Sequence, residues 1–255
     1  MLVSAFWLQA QQSSTKNEVA YYCPPCDNQC DELTFAKPGT CEHCGMVLAK
    51  QTGEQRKKSM SAKKLSIAFY LQDGVEVLDF AGPMEVFSYA GFQIFTVSKT
   101  KDLITSQGIL KVMPDYAIEN APQSDILAFF GGNADRASND PELIAWVKTR
   151  KPSYYFSVCT GAFILGKAGL LDNQSATTFH LSIDNLRKEF PKAKILSDVR
   201  FVDNGEIITT AGISAGIDGA LHLVAKLKGE EIAKNTAFYM EYDKWVPKEG
   251  LIVNK

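Results

Sequence analysis

The sequence predicts an α/β fold in which helices cover both faces of a parallel β-sheet, preceded by a small cysteine-rich module. From Lys64 onward, short apolar runs alternate with amphipathic helical patterns, an alternation typical of a parallel sheet. Five of the six cysteines lie between Cys23 and Cys44, whereas Cys159 stands alone. With 255 residues and 45% hydrophobic content, the chain is long enough to bury a substantial core.

Charge and hydropathy exclude two classes of partner. The 27 Lys and Arg residues nearly balance the 29 Asp and Glu residues and form no basic stripe, so no nucleic acid is expected to bind. No apolar run reaches the roughly 20 residues that span a bilayer, so no integral membrane segment is expected. Residues 1–19 are interpreted as a signal remnant or a disordered end. Their loose resemblance to an export signal favours an exported or periplasmic location over a cytoplasmic one.

Residues 20–50 form the predicted cysteine-rich module. They contain the pairs Cys23-x2-Cys26 and Cys41-x2-Cys44, and the glycine that follows the second pair permits a tight turn. Two such pairs supply four thiolates in the tetrahedral arrangement that zinc prefers. Because so short a segment cannot form a core by itself, it requires a covalent or metal staple. The sequence therefore predicts a zinc-ribbon-like module with one structural zinc.

The cysteine pattern leaves alternatives open. A pair of disulfides could replace the metal if the protein is exported. Cys30 and His43 could substitute as ligands, although both are interpreted as spectators. The segment resembles the short heavy-metal-binding domains with a "CPxC…PGxCxxCGM" pattern. Those domains often carry Cys-Pro-Met-His in the first knuckle, and the Cys-Pro-Pro-Cys present here favours a closed structural site over metal transport.

The next segments are a linker followed by alternating strands and helices. Residues 51–63 are polar and basic without apolar periodicity, which predicts a flexible linker to a domain over residues 64–255. Within that domain the first predicted strands cover 65–71, 92–98 and 125–132. Predicted helices cover 79–91, which ends at a glycine, and 140–150, which opens with an acidic N-cap and Pro141.

The second half of the domain repeats this alternation. A strand over 153–159 leads directly into a helix at Thr160, and Asn204-Gly205 between β-rich runs predicts a hairpin. The following helix carries one apolar face, formed by Ile217, Ala220, Leu221 and Val224. Together these elements predict a flavodoxin-like parallel-sheet sandwich.

Cys159 lies where a predicted strand meets a predicted helix. This arrangement is typical of the strand–turn–helix nucleophile elbow. Backbone N–H groups and the helix dipole at such a position would stabilise a thiolate and lower the pKa of Cys159. Inert packing of a buried cysteine is the alternative.

The sequence resembles the ThiJ/PfpI superfamily, which has a class I glutamine-amidotransferase-like fold. Within it, the isocyanide-hydratase-like and regulator-associated branch is the most similar. Four segments carry the resemblance over residues 64–243: "GVEVLDFAGPMEVF", "DILAFFGGN", "SVCTGAFILGKAGLLD" and "AGISAGIDGALHLV". One departure lies in the second segment, where Phe130 replaces the family's usual proline.

The resemblance implies roles for individual residues. Cys159 becomes the nucleophile, and Asp79 becomes the acidic residue beside the sulfur that manages the proton. The backbone N–H groups of Gly132 and Thr160, with Gly131 alongside, become an oxyanion hole. No cofactor is expected at this catalytic site. The alternative for Asp79 is an N-cap on the helix that follows it.

Three positions bear on whether a histidine assists Cys159. Thr160 stands where protease-like members have histidine, which disfavours a Cys–His hydrolase. The branch's "TTHW" reads Thr177-Thr178-Phe179-His180, and a shift by one residue on a strand reverses the direction of the imidazole, so His180 is interpreted as structural. His222 is interpreted as a packed or surface residue.

The sequence therefore predicts a cysteine-dependent lyase or hydrolase of the hydratase, glyoxalase or deglycase kind, acting on a small electrophilic molecule. The resemblance also implies a homodimer. The alternative is a non-catalytic stress protein that senses redox state or metal, or binds a ligand. Few residues follow Asp243, so no DNA-reading domain is expected after the fold.

Overall fold

The computed structural model describes residues 19–24, 29–61, 64–247 and 250–253. The chain divides into two compact units, Met1–Lys63 and Lys64–Lys255. The predictions for residues 1–18 and for Cys26 fall outside the described residues. Within the described ranges, no helix has both the length and the apolar character needed to cross a bilayer.

The first unit is a small antiparallel sheet with a core made of thiols. Its central strand β1 pairs with β2 on one side and β3 on the other. Cys23, Cys30, Cys41 and Leu48 are its buried apolar residues. So little hydrocarbon cannot stabilise a fold alone, in agreement with the need for a staple. The elements are β1 (Val19–Tyr22), a 3-10 turn (Gln29–Glu32), β2 (Thr34–Phe35) and β3 (Ala49–Thr52).

The structure differs from the prediction of a flexible linker over residues 51–63. β3 ends at Thr52, and helix α1 occupies Gly53–Ser61. Thr52 and Gln55 form a reciprocal capping box, because each side chain accepts a hydrogen bond from the other residue's backbone N–H (2.8 and 3.2 Å). Arg56 is buried and donates to the Asp31 carbonyl at 2.7 Å. The capping box and the Arg56 hydrogen bond therefore hold helix α1 in the first unit. A search for apolar periodicity does not detect contacts of this kind.

The second unit contains an eight-stranded sheet in the order β15-β13-β14-β10-β9-β4-β5-β8. All neighbouring strands are parallel except β13 and β14. The strands of the unit, including two short pairs outside the main sheet, are β4 (Ser66–Tyr70), β5 (Gln93–Ser98), β6 (Ile104–Ser106), β7 (Leu110–Val112), β8 (Tyr116–Ala117), β9 (Ile126–Phe129), β10 (Tyr154–Val158), β11 (Ser175–Ala176), β12 (Lys194–Ile195), β13 (Phe201–Asp203), β14 (Ile207–Thr210) and β15 (Leu251–Ile252).

Helices pack on both faces of this sheet, which confirms the predicted α/β sandwich. Side chains of β4 alternate between two separate cores: Ile67 and Phe69 lie in one, Ala68 and Tyr70 in the other. The first core includes α2, α7 and α8, and the second includes α4, α5 and α6. The helices are α2 (Val77–Tyr89), α3 (Ala134–Ser138), α4 (Pro141–Thr149), α5 (Ala162–Lys167), α6 (Ile183–Glu189), α7 (Ala215–Lys228) and α8 (Glu230–Tyr239).

Local sequence signals place several elements correctly. The Asp140 side chain caps α4 by accepting hydrogen bonds from the N–H groups of Glu142 and Leu143, with Pro141 at the first helical position. Asn204-Gly205 joins the antiparallel strands β13 and β14. The β6–β7 hairpin and helix α8 are elements that the sequence patterns did not predict.

The strand order creates a crevice at the carboxyl ends of the central strands. From β4 the chain proceeds to β5 on one side and then to β9 and β10 on the other, so the direction of winding reverses between β4 and β9. Open α/β sheets bind ligands at such a switch point. The segments that follow β4, β9 and β10 start at this edge, and they carry the predicted site residues, with Asp79 in the first turn of α2.

Candidate functional site

Cys159 lies on a sharp turn at the centre of the sheet. It follows β10 and begins a 3-10 turn, Cys159–Gly161, that leads into α5. Its φ of 58° lies in the left-handed region, which non-glycine residues rarely adopt. Two hydrogen bonds hold the turn: the Cys159 N–H donates to the Ala211 carbonyl at 3.1 Å, and the Thr178 hydroxyl donates to the Cys159 carbonyl at 2.7 Å.

Asp79 is fully buried near the start of α2, and two loops hold its carboxylate. Its Oδ2 accepts a hydrogen bond from the Gly131 N–H at 2.9 Å, and its Oδ1 accepts one from the Ile213 N–H at 3.0 Å. Ile213 has a φ of 56°, an outlier for a β-branched residue. The N-cap of α2 is Glu76, so the alternative of Asp79 as a helix cap is wrong.

The fold brings Asp79 and Cys159 together, although 80 positions separate them. The Cys159 thiol and the Asp79 carboxyl group are close enough to interact electrostatically. Gly131 lies against both, because a Cβ built there would stand 2.7 Å from the Asp79 Oδ2 and 2.7 Å from the Cys159 Sγ. Glycine at this position therefore permits the contact between acid and thiol.

Burial changes the proton affinities of both groups. It raises the pKa of Asp79 to about 6, although hydrogen bonds from Gly131, Ile213 and the thiol oppose the rise. Burial and then the Asp79 charge raise the pKa of Cys159 to about 12, against the opposing effect of the Thr160 N–H. The two groups titrate as a pair that holds one proton between these limits.

Burial and the Asp79 charge outweigh the Thr160 N–H, which lowers the pKa of Cys159 as predicted, so the net shift is upward. Helix α5 has only six residues after a 3-10 turn, so its dipole is small. Cys159 is 6% exposed, and the neighbouring carboxylate disfavours a second negative charge. The resting pair carries its proton on sulfur once Asp79 has ionised.

We expect alkylation of Cys159 to be slow at pH 8 and to accelerate only at strongly alkaline pH, because the thiolate is the nucleophile. Asp79→Asn removes the adjacent charge, lowers the pKa of Cys159 and should speed alkylation at pH 8, by about tenfold for each unit of pKa. Rates of iodoacetamide labelling against pH, with the N-terminal thiols protected and Cys159→Ser as the blank, provide the test. A wild-type pKa at or below about 8.5 would contradict the raised pKa of Cys159.

The predicted oxyanion donors divide into two groups. The Gly131 N–H donates to Asp79 and is therefore not available to an oxyanion. Gly132 and Thr160 both line a cleft of about 600 Å³, as do Ser182 and Asn185. The buried Thr160 hydroxyl oxygen has no hydrogen-bond partner in the described part of the chain. The role of Gly132 and Thr160 as oxyanion donors stays a prediction.

Neither histidine of this unit contacts the pair. His180 is exposed at the start of a 3-10 turn, packs edge-on against Phe179, and hydrogen-bonds neither Cys159 nor Asp79 among the described residues. Its chain has already left strand β11, so the predicted reversal of a strand side chain does not apply. His222 is buried and lies 2.8 Å from a carboxylate oxygen of Asp203, which confirms that it is packed.

Four thiols of the N-terminal unit form a cluster that could bind a metal ion. The sulfurs of Cys23, Cys30, Cys41 and Cys44 all lie within 4.8 Å of one another. The Cys23 Sγ is 3.1 Å from the Cys44 Sγ and 3.8 Å from the Cys30 Sγ. Tetrahedral zinc with Zn–S bonds of about 2.3 Å separates its sulfurs by about 3.8 Å, so the cluster fits that ion.

This cluster includes one thiol that the sequence analysis did not assign as a ligand. Cys30, interpreted from the sequence as a spectator, belongs to it. Cys26, a predicted ligand, lies outside the described residues. His43 is exposed and is not a member. Gly45, with a φ of 73°, permits the tight turn after Cys44, and its N–H donates to the Cys41 carbonyl at 2.7 Å.

Comparisons with known proteins identify the family of this chain. The model of the DJ-1/PfpI family matches residues 65–226. An isonitrile hydratase from Pseudomonas putida is 32% identical over 182 residues, which are 70% of this chain and 78% of that protein. An HTH-type transcriptional regulator from Pseudomonas aeruginosa is 27% identical over 173 residues, which are 65% of this chain and 51% of the regulator.

A solved structure shares the fold over most of the chain. The crystal structure of a THiJ/PfpI family protein from Pseudomonas syringae superposes with a TM-score of 0.69 at 32% identity, and the match covers 77% of this chain and 83% of that one. The family match spans the turns that carry Asp79, Gly131 and Cys159. The chain therefore belongs to the DJ-1/PfpI family.

Proposed function

We propose that the protein is a cysteine-dependent hydratase that adds water to a small electrophilic carbon, such as that of an isonitrile. The observation that carries the proposal is the buried pair of Cys159 and Asp79, in which two backbone N–H groups hold the carboxylate. The 32% identity to an isonitrile hydratase supports this substrate class.

The first step forms a bond between sulfur and carbon. Above about pH 6 Asp79 is ionised and can accept the Cys159 thiol proton as substrate arrives. The sulfur then adds to the terminal carbon of R–N≡C, and the same proton passes from Asp79 to that carbon. The product is a thioimidate, R–N=CH–S–Cys159, with Asp79 again ionised.

The second step adds water. Asp79 accepts one proton from a water molecule whose oxygen bonds to the thioimidate carbon and passes that proton to the nitrogen, which gives R–NH–CH(OH)–S–Cys159 with Asp79 again ionised. Cleavage of the C–S bond then releases the formamide R–NH–CHO, and the hydroxyl proton returns to the sulfur. The net reaction converts R–N≡C and H₂O into R–NH–CHO, and it needs no oxidant or reductant. The N–H groups of Gly132 and Thr160 would stabilise charge on the carbonyl oxygen as it forms.

A substrate panel tests this proposal. The purified wild-type protein and Cys159→Ser are incubated with an alkyl isonitrile, methylglyoxal and a simple amide, and products are followed by NMR. We expect formamide from the isonitrile with the wild type alone. Turnover of methylglyoxal instead would indicate a glyoxalase, and equal rates with Cys159→Ser would remove the cysteine from the mechanism.

A second candidate is a non-catalytic ligand-binding or redox-sensing role. Two observations favour it. Some relatives are transcriptional regulators, and the match covers about half of the length of each. The raised pKa of Cys159 also makes the thiol a weaker nucleophile. This candidate would be favoured if none of the three substrates were turned over and one of them bound saturably to both the wild type and Cys159→Ser.

The thiol cluster is proposed to hold one structural zinc. Cys23, Cys30, Cys41 and Cys44 would bind it, because soft thiolates in tetrahedral geometry suit zinc. The ion would link strands and turns of a unit that has almost no hydrocarbon core. No step of the reaction at Cys159 involves it.

Metal analysis should find about one zinc per chain in protein purified without chelator. If these four thiols are the ligands, Cys26→Ser should retain the metal, because they complete a tetrahedral coordination. Cys30→Ser should weaken zinc binding by more than the roughly 10–100-fold cost of losing an outer-shell partner. Competition with a chromophoric chelator measures both affinities. The reverse result, with Cys26 needed and Cys30 dispensable, would restore the ligand set predicted from the sequence.

A further inference from the structure

The β6–β7 hairpin is attached to residues 74–76, which we call the α2 entry segment because they lead from β4 into α2. The Gly74 N–H donates a hydrogen bond to the Thr105 carbonyl at 2.9 Å. The buried Ser106 hydroxyl donates to the Val75 carbonyl. Two neighbouring residues of β6 therefore bind two neighbouring residues of the α2 entry segment.

Gln107, at the tip of the hairpin, completes this attachment with both ends of its side-chain amide. Its Oε1 accepts a hydrogen bond from the Val77 N–H at 3.1 Å, and its Nε2 donates to the Glu76 carboxylate. Val77 is the first residue of α2, and Glu76 is the N-cap, whose own side chain makes no capping hydrogen bond. Gln107 therefore satisfies, from another part of the chain, one of the N–H groups that the start of a helix leaves without an intrahelical partner.

Gln107 has a backbone conformation that glutamine rarely adopts. Its φ is 46°, and Gly108 follows with a φ of 76°, so two successive residues at the tip have the positive φ that type I′ turns require. Glycine, asparagine and aspartate favour this conformation, whereas glutamine does not. The glutamine side chain, however, reaches both Glu76 and Val77, and that of asparagine is one methylene shorter. The contacts of the side chain, rather than the turn, therefore explain why this position holds glutamine.

The α2 entry segment also lies directly against the loop that carries Gly131 and Gly132. The Glu76 N–H donates to the Gly131 carbonyl at 3.1 Å, and the Asn133 N–H donates to the Gly74 carbonyl at 3.0 Å. Neither bond uses the Gly132 N–H. A Cβ at Gly132 would stand 2.3 Å from the Gly74 carbonyl oxygen, so the two segments meet backbone to backbone. Because no side chain separates them, a shift of one segment displaces the other.

We propose that Gln107 is a positioning residue for the reaction at Cys159. By fixing the start of α2, it holds the α2 entry segment against the neighbouring loop. It thereby sets the position of the Gly131 N–H, which binds Asp79, and of the Gly132 N–H, which is predicted to face the oxyanion. The effect on turnover rests on the proposed hydratase function, whereas the effect on the loop does not.

Gln107→Asn separates positioning from folding. Asparagine favours the left-handed turn, so the variant should remain folded, but its shorter side chain cannot keep both hydrogen bonds. We expect kcat to fall about tenfold, which is what one hydrogen bond of ordinary strength is worth, with the substrate found in the panel. KM should change less than about twofold, because the displaced N–H groups act on charge that develops during the reaction. A wild-type kcat in the folded variant would overturn the proposal.

Exchange of two side chains tests whether the contact with Glu76 causes the loss. Gln107→Glu alone places two carboxylates against each other and should lower kcat about as much as Gln107→Asn. The double variant Glu76→Gln/Gln107→Glu restores an amide facing a carboxylate, which can again accept from the Val77 N–H, and kcat should recover to within about threefold of wild type. Gln123→Met, at an exposed glutamine before β9, is the matched control and should leave kcat unchanged. A double variant no more active than Gln107→Glu would overturn the role of this contact.

Amide hydrogen exchange, followed by NMR, tests the positioning without turnover. The full-length, metal-loaded wild type is compared with Gln107→Asn. The N–H groups of Val77, Glu76 and Gly131 should exchange at least about fivefold faster in the variant, whereas those within α4, which packs in the other core, should not change. Faster exchange at Val77 alone, or no change at any of the three, would overturn the proposal. Because exchange needs no substrate, failure of this inference is distinguishable from failure of the proposed function.

Discussion

Asp79→Asn is expected to lower kcat by roughly 10²–10⁴-fold, the usual contribution of general acid–base catalysis, while the fold is preserved. Asparagine has the size of aspartate but cannot accept the Cys159 proton or return it to substrate carbon. Both carboxylate oxygens accept backbone N–H groups, so the amide keeps one of these bonds and places its NH₂ against the other donor. Steady-state kinetics with the substrate found in the panel measure the loss.

Two observations separate this catalytic loss from a structural one. Asp203→Asn is a matched control, since Asp203 is another buried carboxylate, bonded to His222 and Lys226 rather than to the pair. It should reduce stability without the selective loss of kcat. Asp79→Asn should also alkylate faster at pH 8 while turning over more slowly. An active Asp79→Asn enzyme would remove Asp79 from the mechanism.

The same carboxyl group should leave a signature in stability against pH. Its pKa is 3.8 ordinarily and about 6 in the folded protein, so between these values the folded state binds more protons than the unfolded state. Stability then falls as pH rises through this window, by about 3 kcal/mol for this group. The difference in unfolding free energy between wild type and Asp79→Asn, measured by urea titration from pH 4 to 7, should therefore decrease with pH. A difference that is constant with pH would contradict the raised pKa of Asp79.

Gly131→Ala is expected to lower kcat by about 100-fold or more, although it adds only one methyl group. The new Cβ would stand 2.7 Å from both the Asp79 Oδ2 and the Cys159 Sγ, which is too close for either atom to remain in place. A displacement of about 1 Å in a catalytic constellation can cost 10²-fold in rate. Circular dichroism and urea titration establish that the variant remains folded.

Gly169→Ala provides the matched control for this substitution. Gly169 has a φ of 81°, and a Cβ added there would have no neighbouring atom within 4 Å, so alanine introduces backbone strain without a clash. We expect a loss of stability of about 1 kcal/mol and unchanged kcat. If Gly131→Ala retained wild-type kcat, the contact between the acid and the thiol would not be essential to turnover.

The homodimer and the exported location stay predictions. The first rests on resemblance to the family and the second on residues 1–19. No contact or cleft described above depends on either.

The sequence by itself determined the elements whose signals are local. Alternating apolar runs place the central strands, Asp140 with Pro141 starts α4, and Asn204-Gly205 closes a hairpin. In each case the hydrogen bonds or side-chain pattern involve residues a few positions apart. The position of Cys159 between a strand and a helix follows from the same kind of pattern. The capping box of Thr52 and Gln55 is also local, but apolar periodicity does not reveal it.

Only the tertiary structure determined the contacts of Asp79 and the direction of the Cys159 pKa shift. The bonds that hold Asp79 join it to Gly131 and Ile213, residues 52 and 134 positions away, and no local pattern encodes such contacts. The pKa of Cys159 rises because burial and a distant carboxylate outweigh a short helix, a balance that depends on three-dimensional distances. The place of Cys30 in the thiol cluster likewise depends on where the chain returns in space, which the spacing of the cysteines does not show.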